Sequence, residues 1–368
     1  MLKNLYEEQR TALTQQELNA VLAAHERYLL RLSGGVRAKL SHAKLDGLNL
    51  ANRDLTEADF AGASLVGAKV SGSNLESASF YCADLRNCDL RSSRLPRADL
   101  RGASFNGARL AYALLDGADL RAATMMFSGP GGISIISRDK TKGGPAVDFS
   151  NCSLKGASFG NAKLEGANFS GALLQGATFK GARLTNVVFT GAVLTGVNLK
   201  ELSVPADALV GCIADPNPLS NQDTEAMKIR LAEHERWAGT GGREGTQLIL
   251  DGVDLRAVQN LLTGRTLTGL SARNVMAIGL DLSAAQLQAA KFDGADLRDV
   301  NFAGADLRGV SLRGAKLVHA RFEKSDLRHL VLNNGTRIAS DVTAAETAPG
   351  QFFGALMDES LGGDLALV

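Results

Sequence analysis

The chain of 368 residues carries 40 basic and 39 acidic side chains, so no net charge draws it to nucleic acid or to an anionic membrane. No apolar run reaches the roughly 18 residues of a membrane-spanning helix, and the polar start of the chain does not resemble a secretion signal. Its four cysteines do not make a disulfide framework, and the composition predicts a cytoplasmic protein long enough for two domains.

The N-terminal segment, residues 1–36, predicts an α-helix. Thr14 and Glu17 have the spacing of a capping box, and the apolar residues of LNAVLAAHERYLLRL recur at helical intervals. A glycine pair, Gly34 and Gly35, follows where a left-handed residue would end the helix at little cost. We expect this helix to cover the open start of the structure that follows it.

From Leu40 to Met125 every fifth residue is apolar, and a small residue usually stands two positions before it. This period fits neither the 3.6 residues of a helical turn nor continuous strand alternation. It fits a short extended segment followed by a corner, with the small and the large apolar residue both pointing inward. Stacked segments would bury a column of Leu and Phe and pair their backbones with the coils above and below.

The apolar positions between Phe149 and Leu194 alternate strictly between Phe and Leu. Four repeats per coil would stack every second Phe on the same face. A coil with two faces would also fit this alternation, so the sequence supports four faces and leaves two open.

The repeats EADFAGASL, CADLRNCDL, GANFSGALL and GADLRDVNFAGADLRGVSLRGAKL resemble the pentapeptide repeat family, whose pattern is Ala-Asp/Asn-Leu-x-x. The resemblance covers well over half of the chain. It implies an all-β solenoid, a right-handed quadrilateral β-helix, and does not specify a function. Some members, including quinolone-resistance proteins, inhibit or protect a DNA topoisomerase by mimicking duplex DNA.

The repeat stops after Met125 and resumes at Phe149, and we interpret residues 126–148 as an inserted hairpin or loop. One reading is a tolerated insertion. The other is a contact arm for a partner, because loops on a rigid scaffold often carry binding. The arm would mix apolar and basic side chains, namely Ile133, Ile135, Ile136, Arg138, Lys140 and Lys142.

A second helix and a second coil repeat the plan of the first. Ser220 and Asp223 predict another capping box, and AEHERWAGTGG parallels AAHERYLLRLSGG of the first helix. The second coil slips in register early and has clean repeats from Leu282 to Leu332. The expected order is a capping helix over 1–36, a β-helix over 37–205, a linker and second capping helix over 206–245, a β-helix over 246–335, and a tail over 336–368 that caps the coil or forms a dimer contact.

His25 and His234 occupy equivalent positions in the two predicted helices. This equivalence favours a structural role over a metal or catalytic site, because no second ligand pattern accompanies either histidine. Arg53 stands where a small residue is usual and is expected to bond the first helix, with a binding role as the alternative. The expected structural contacts are His25, Arg27, Arg53, His234 and Arg236. No catalytic or phosphate-binding motif is present, and we expect no enzyme activity, metal or cofactor.

Two functional hypotheses follow. The first is a non-enzymatic scaffold that binds an unidentified protein. The second is a DNA mimic that acts on DNA gyrase or another topoisomerase, which requires a strongly negative rod. Acids and bases balance from Leu40 to Met125, and the regularly spaced Asp and Arg residues read as solvated charge ladders. The balance favours the scaffold, and we expect neither a membrane partner nor direct nucleic-acid binding.

Overall fold

Short extended segments separated by two-residue turns form the walls of a coil in the computed structural model, which describes residues 11–123, 125–129, 132–136, 146–218, 220–359 and 361. In most repeats one residue forms a parallel bridge and a turn follows it. The chain divides into two compact units, Met1–Asp215 and Pro216–Val368, and each contains its own coil.

The regular bridges join residues 20 positions apart, as Ser79 joins Asp99. The Phe80 amide donates to the Asp99 carbonyl of the next coil at 2.7 Å, and the Ser79 amide donates to the Ala58 carbonyl of the previous coil at 3.0 Å. Each narrow wall therefore satisfies its polar backbone groups. Four repeats complete one turn, and bridges between residues 10 apart, which two faces would require, do not occur among the described residues.

The inward column consists of the Leu and Phe residues that set the five-residue period, and most of them are fully buried. Phenylalanines 20 positions apart stack nearly parallel, with ring centroids 5.0 Å apart for Phe149 and Phe169 and 4.8 Å apart for Phe159 and Phe179. Those 10 positions apart meet edge-on, as Phe149 and Phe159 do at 6.1 Å. The alternation of Phe and Leu thus marks faces of a four-sided coil.

Helix α1 spans Gln15–Leu29 and helix α2 spans Asn221–Gly239, and both begin with the predicted capping boxes. Their ends differ. Gly241, with φ of 65°, is the left-handed residue after α2, whereas Arg31, with φ of 55°, takes that place after α1. An arginine rather than the expected glycine pair therefore ends α1.

Each helix packs on the first repeats of its own unit. Leu18 and Leu22 of α1 belong to the buried cluster that contains Leu40 of the first coil. The second unit repeats this packing with the α2 residues Met227 and Leu231. Ahead of α1, residue 12 also forms a parallel bridge with residue 44 of the first coil.

Strands β1 (Met125–Gly129) and β2 (Gly132–Ile136) form an antiparallel hairpin between two parts of the first coil. The hairpin begins at Met125, which was expected to be the last apolar residue of the repeat before the insertion. The coil resumes at Asp148, which bridges Arg109 from 39 positions away instead of 20. The walls on either side of the hairpin therefore pair directly with each other.

Two short 3₁₀ helices, η1 (Leu199–Glu201) and η2 (Ala206–Leu209), lie in the last turn of the first coil, before Ile213, which bridges Val193. A third, η3 (Leu255–Leu261), lies where the register of the second coil slips. There Ile249 bridges Ser271, 22 positions away, so two additional residues are accommodated.

A second hairpin, β3 (Leu330–Val331) with β4 (Arg337–Ile338), interrupts the end of the second coil. Beyond it the bridges continue as far as Leu356, past the expected boundary at residue 335. The expectation that clean repeats reach Leu332 is wrong, because Leu332 lies in this hairpin turn and is 38 % exposed.

Candidate functional site

Two buried histidines join the helices to the coils in the same way. The Ala38 amide donates to His25 Nδ1 at 3.1 Å, and the Leu248 amide donates to His234 Nδ1 at 3.0 Å. Because Nδ1 accepts, the neutral ring carries its proton on Nε2, which has no hydrogen-bond partner within the described part of the chain in either case. Burial lowers the pKa of both imidazoles. These rings are therefore built to be neutral structural contacts.

An aromatic ring on each helix stacks on this histidine, with centroids 5.8 Å apart for Tyr28 on His25 and 5.5 Å apart for Trp237 on His234. In each unit a glycine after the helix also lies in close contact with the backbone of the helical turn that carries this aromatic residue. A Cβ added at Gly35 would come within 2.5 Å of the Tyr28 backbone nitrogen, and Gly245 approaches α2 in the same manner. Close backbone packing, which the sequence analysis did not identify, thus accompanies each histidine contact.

Of the predicted arginine contacts, two bond within their own helix region. Arg27 Nε donates to the Ser33 carbonyl at 2.9 Å and closes the turn after α1. Arg236 pairs with Glu233 on α2 at 3.1 Å. Their role in covering a coil stays a prediction.

Arg53 is exposed in a shallow recess beside Gln15 and Asn19 of α1. No hydrogen bond joins its side chain to α1 in the described ranges, and the polar link is made by Gln15 instead. The Gln15 side chain accepts from the Asn49 amide at 2.8 Å and donates to the Asn49 carbonyl at 3.0 Å. The sequence did not indicate Gln15, since a single glutamine in the first turn of a helix carries no pattern, although its side chain is half-buried.

Carboxylate and guanidinium groups pair within single repeats. Arg101 Nε and Nη2 each donate to a different oxygen of Asp99 at 2.8 Å. The same two-point geometry joins Asp84–Arg86, Asp89–Arg91, Asp119–Arg121, Asp296–Arg298 and Asp306–Arg308. Hydrogen bonds from Arg91 hold the pKa of Asp89 below its usual range. The expectation of solvated ladders is wrong at Arg298, which is only 4 % exposed.

A family model described as pentapeptide repeats matches eight copies in this chain, and the matched ranges include residues 36–72, 54–91, 83–121, 146–181, 172–202, 281–317 and 305–334. Together these ranges span more than half of the sequence. The chain belongs to the pentapeptide repeat family. The matched pentapeptide repeats stop and resume on either side of the β1–β2 hairpin.

Solved pentapeptide repeat proteins are similar to it at low identity. HetL from Nostoc sp. strain PCC 7120, involved in heterocyst differentiation regulation, is 21 % identical, with 91 % of this chain and 95 % of that chain covered and a TM-score of 0.21. QnrB1, a plasmid-mediated fluoroquinolone resistance protein, is 20 % identical over 52 % of this chain and 92 % of its own, with a TM-score of 0.27. No curated protein matches the sequence significantly. No function transfers from these similarities.

The predicted contact arm is only partly described. Ile133, Ile135 and Ile136 lie in β2, where the backbone pairing is known, and Arg138, Lys140 and Lys142 lie outside the described residues. In the described parts of this pentapeptide repeat chain, no cluster of three potential metal ligands occurs, and neither helix is long and apolar enough to cross a membrane.

Proposed function

We propose that this pentapeptide repeat protein is a non-enzymatic scaffold that binds another protein. Its two coils are right-handed quadrilateral β-helices, and α1 and α2 cap their starts. The partner contacts the arm formed by the inserted β1–β2 hairpin, with Ile133, Ile135 and Ile136 as its apolar side chains and Arg138, Lys140 and Lys142 as its basic ones.

The observation that carries this proposal is the pairing of coil walls on the two sides of the hairpin. Asp148 bridges Arg109 and Ser158 bridges Asp119, so the walls before and after the insertion pair as neighbouring coils do. The hairpin adds its own antiparallel pairing and is not needed for these bridges. An excursion of this kind on a rigid scaffold supports a binding role.

The capping role of the helices is supported by their contacts with the first repeats. Leu18 and Leu22 bury against the coil interior, and His25 accepts the Ala38 amide. Coil ends expose apolar core and unpaired backbone, which a helix with one apolar face can cover.

The alternative partner is DNA gyrase, bound through mimicry of duplex DNA. A mimic needs carboxylates that are free to act as a phosphate ladder. Asp99 and Asp119 follow one another on the same face, but Arg101 and Arg121 each bond one of them at two points. This neutralisation favours the scaffold over the mimic.

The test is a pull-down with the intact protein and with a variant whose residues 126–146 are replaced by a short Gly-Ser linker. In the control variant, residues 333–336, the turn of the β3–β4 hairpin, are replaced by a Gly-Ser linker. We expect a specific partner that is lost only from the first variant. An unchanged partner set would exclude the contact arm, and inhibition or quinolone protection of gyrase supercoiling would favour the mimic instead.

A further inference from the structure

The segment that ends α1 exposes three large apolar side chains. Leu30 is 63 % exposed, Leu32 is 54 % exposed and Val36 is 59 % exposed. Backbone hydrogen bonds fix this segment against the helix, because the Leu32 amide donates to the Arg27 carbonyl at 2.9 Å and the Val36 amide donates to the Ala24 carbonyl at 3.0 Å. The fold therefore holds these side chains in water rather than leaving them on a loose end.

Cations are concentrated around this turn. Residues 27–45 contain five basic residues and no acidic one. Arg31 and Arg37 are exposed and form no ion pair with any described residue. Lys39 is also exposed, and its backbone forms a parallel bridge with Asp59 of the next coil. The balanced charge of the whole chain conceals this local excess.

The second unit shows that the fold does not need these apolar residues. By their places after the two helices, Leu30 and Leu32 correspond to Thr240 and Gly242, whose amides form the equivalent backbone hydrogen bonds. There α2 ends, the histidine contact forms and the coil begins without a large apolar residue at either position. Leu30 and Leu32 are thus not explained by capping.

We propose that Leu30, Leu32 and Val36, with Arg31 and Arg37, form a docking site for an anionic lipid surface. Apolar side chains would enter the headgroup region while the guanidinium groups pair with lipid phosphates. A bilayer suits this site better than a peptide, because the side chains project from a turn. The one recess described near α1 is polar and contains none of them.

The site is tested by sedimentation with vesicles of phosphatidylcholine alone or mixed with phosphatidylglycerol. The intact protein should bind only the mixed vesicles, and high salt should release it. The double variant Arg31→Gln/Arg37→Gln should bind more weakly by about five-fold for each charge removed. The double variant Leu30→Ser/Leu32→Ser should weaken binding at least as much.

Val210→Ser is the control, because Val210 is 72 % exposed in a different part of the unit. It should leave vesicle binding unchanged, and circular dichroism checks that every variant is folded. Failure of the intact protein to bind mixed vesicles overturns the proposal. Vesicle binding that is unchanged in both double variants also overturns the proposal. If the intact protein is retained on polyglutamate but does not bind vesicles, the turn is a site for an acidic protein instead.

Discussion

The imidazole of His25 accepts a backbone amide inside a buried contact, and His234 repeats the arrangement. A protonated Nδ1 cannot accept, so the charged ring loses this hydrogen bond and places a charge where burial already lowers the pKa. Asp54 and Glu57 favour the charged form of His25 and Arg37 opposes it, while Glu235 favours the charged form of His234. The unfolded chain therefore binds protons more readily than the folded one.

Stability is consequently expected to fall as the pH drops through about 6.5, the value for an unfolded histidine, and to level off below the folded pKa. Each unit of lowered pKa corresponds to about 1.4 kcal/mol per histidine. Urea unfolding between about pH 8 and about pH 5.5 measures this dependence. The double variant His25→Gln/His234→Gln should flatten it, whereas His42→Asn, at an exposed corner, should not. Equal slopes in all three proteins would contradict this account.

Alanine substitutions at Gly35 and Gly47 distinguish the cost of close packing from the cost of backbone strain. A Cβ at Gly35 would meet the Tyr28 backbone at 2.5 Å, whereas Gly47 has φ of 70° and open space around it. We expect Gly47→Ala to cost about 1 kcal/mol and Gly35→Ala about 3 kcal/mol in the free energy of unfolding. Denaturant titration of the two variants measures the order, and a smaller loss for Gly35→Ala would show that the helix can move away.

Individual contacts were predictable where they are local or, as for His25 and His234, where both copies of the plan contain the same residue. The capping boxes depend on residues three positions apart and could be seen in the sequence. The five-residue period predicts whether a residue faces in or out, but it does not predict which outward side chains become buried. The burial of Arg298 could therefore not be predicted. The contact of Gln15 could not be predicted either, because its partner, Asn49, is distant in sequence.

At the scale of elements, the phenylalanines of the first coil pack against one another as a continuous column of rings. Phe169 stacks on Phe149 and Phe189 and meets Phe159 and Phe179 edge-on. These rings fill the interior between four walls, so a truncated side chain leaves a cavity that rigid walls cannot close.

Phe169→Ala should therefore lower the free energy of unfolding by about 3–5 kcal/mol. The matched control is Phe353→Ala, because Phe353 is 89 % exposed and its loss should cost less than about 0.5 kcal/mol. Equilibrium unfolding in urea compares the two variants. Similar small losses for both would mean that the column is not the core of the first unit.

Periodicity predicted the coils better than their interruptions. Leu332 follows Leu327 by five positions and continues the sequence pattern, yet it belongs to the β3–β4 hairpin. The coil then continues to Leu356 with partners 30 positions apart. An interruption that happens to preserve the spacing of apolar residues cannot be distinguished from a repeat by its sequence alone.

At the scale of the whole molecule, each unit has its own helix, coil and buried cluster. The duplicated plan predicts two folding units. Fragments 1–215 and 216–368 should each unfold cooperatively in urea, with circular dichroism showing β structure and a minor helical component. A fragment that remains unfolded would show that its core depends on the rest of the chain.

The central claim is that four five-residue repeats make one coil, so that residues 20 positions apart are neighbours. In a Cys212→Ser background, the pair S158C/T178C should form a disulfide under mild oxidation, because Ser158 and Thr178 are bridge partners whose hydroxyl groups lie 3.3 Å apart. The pair S158C/N168C lies on opposite faces and should not. Crosslinking of the second pair rather than the first would contradict the four-sided coil and favour one with two faces.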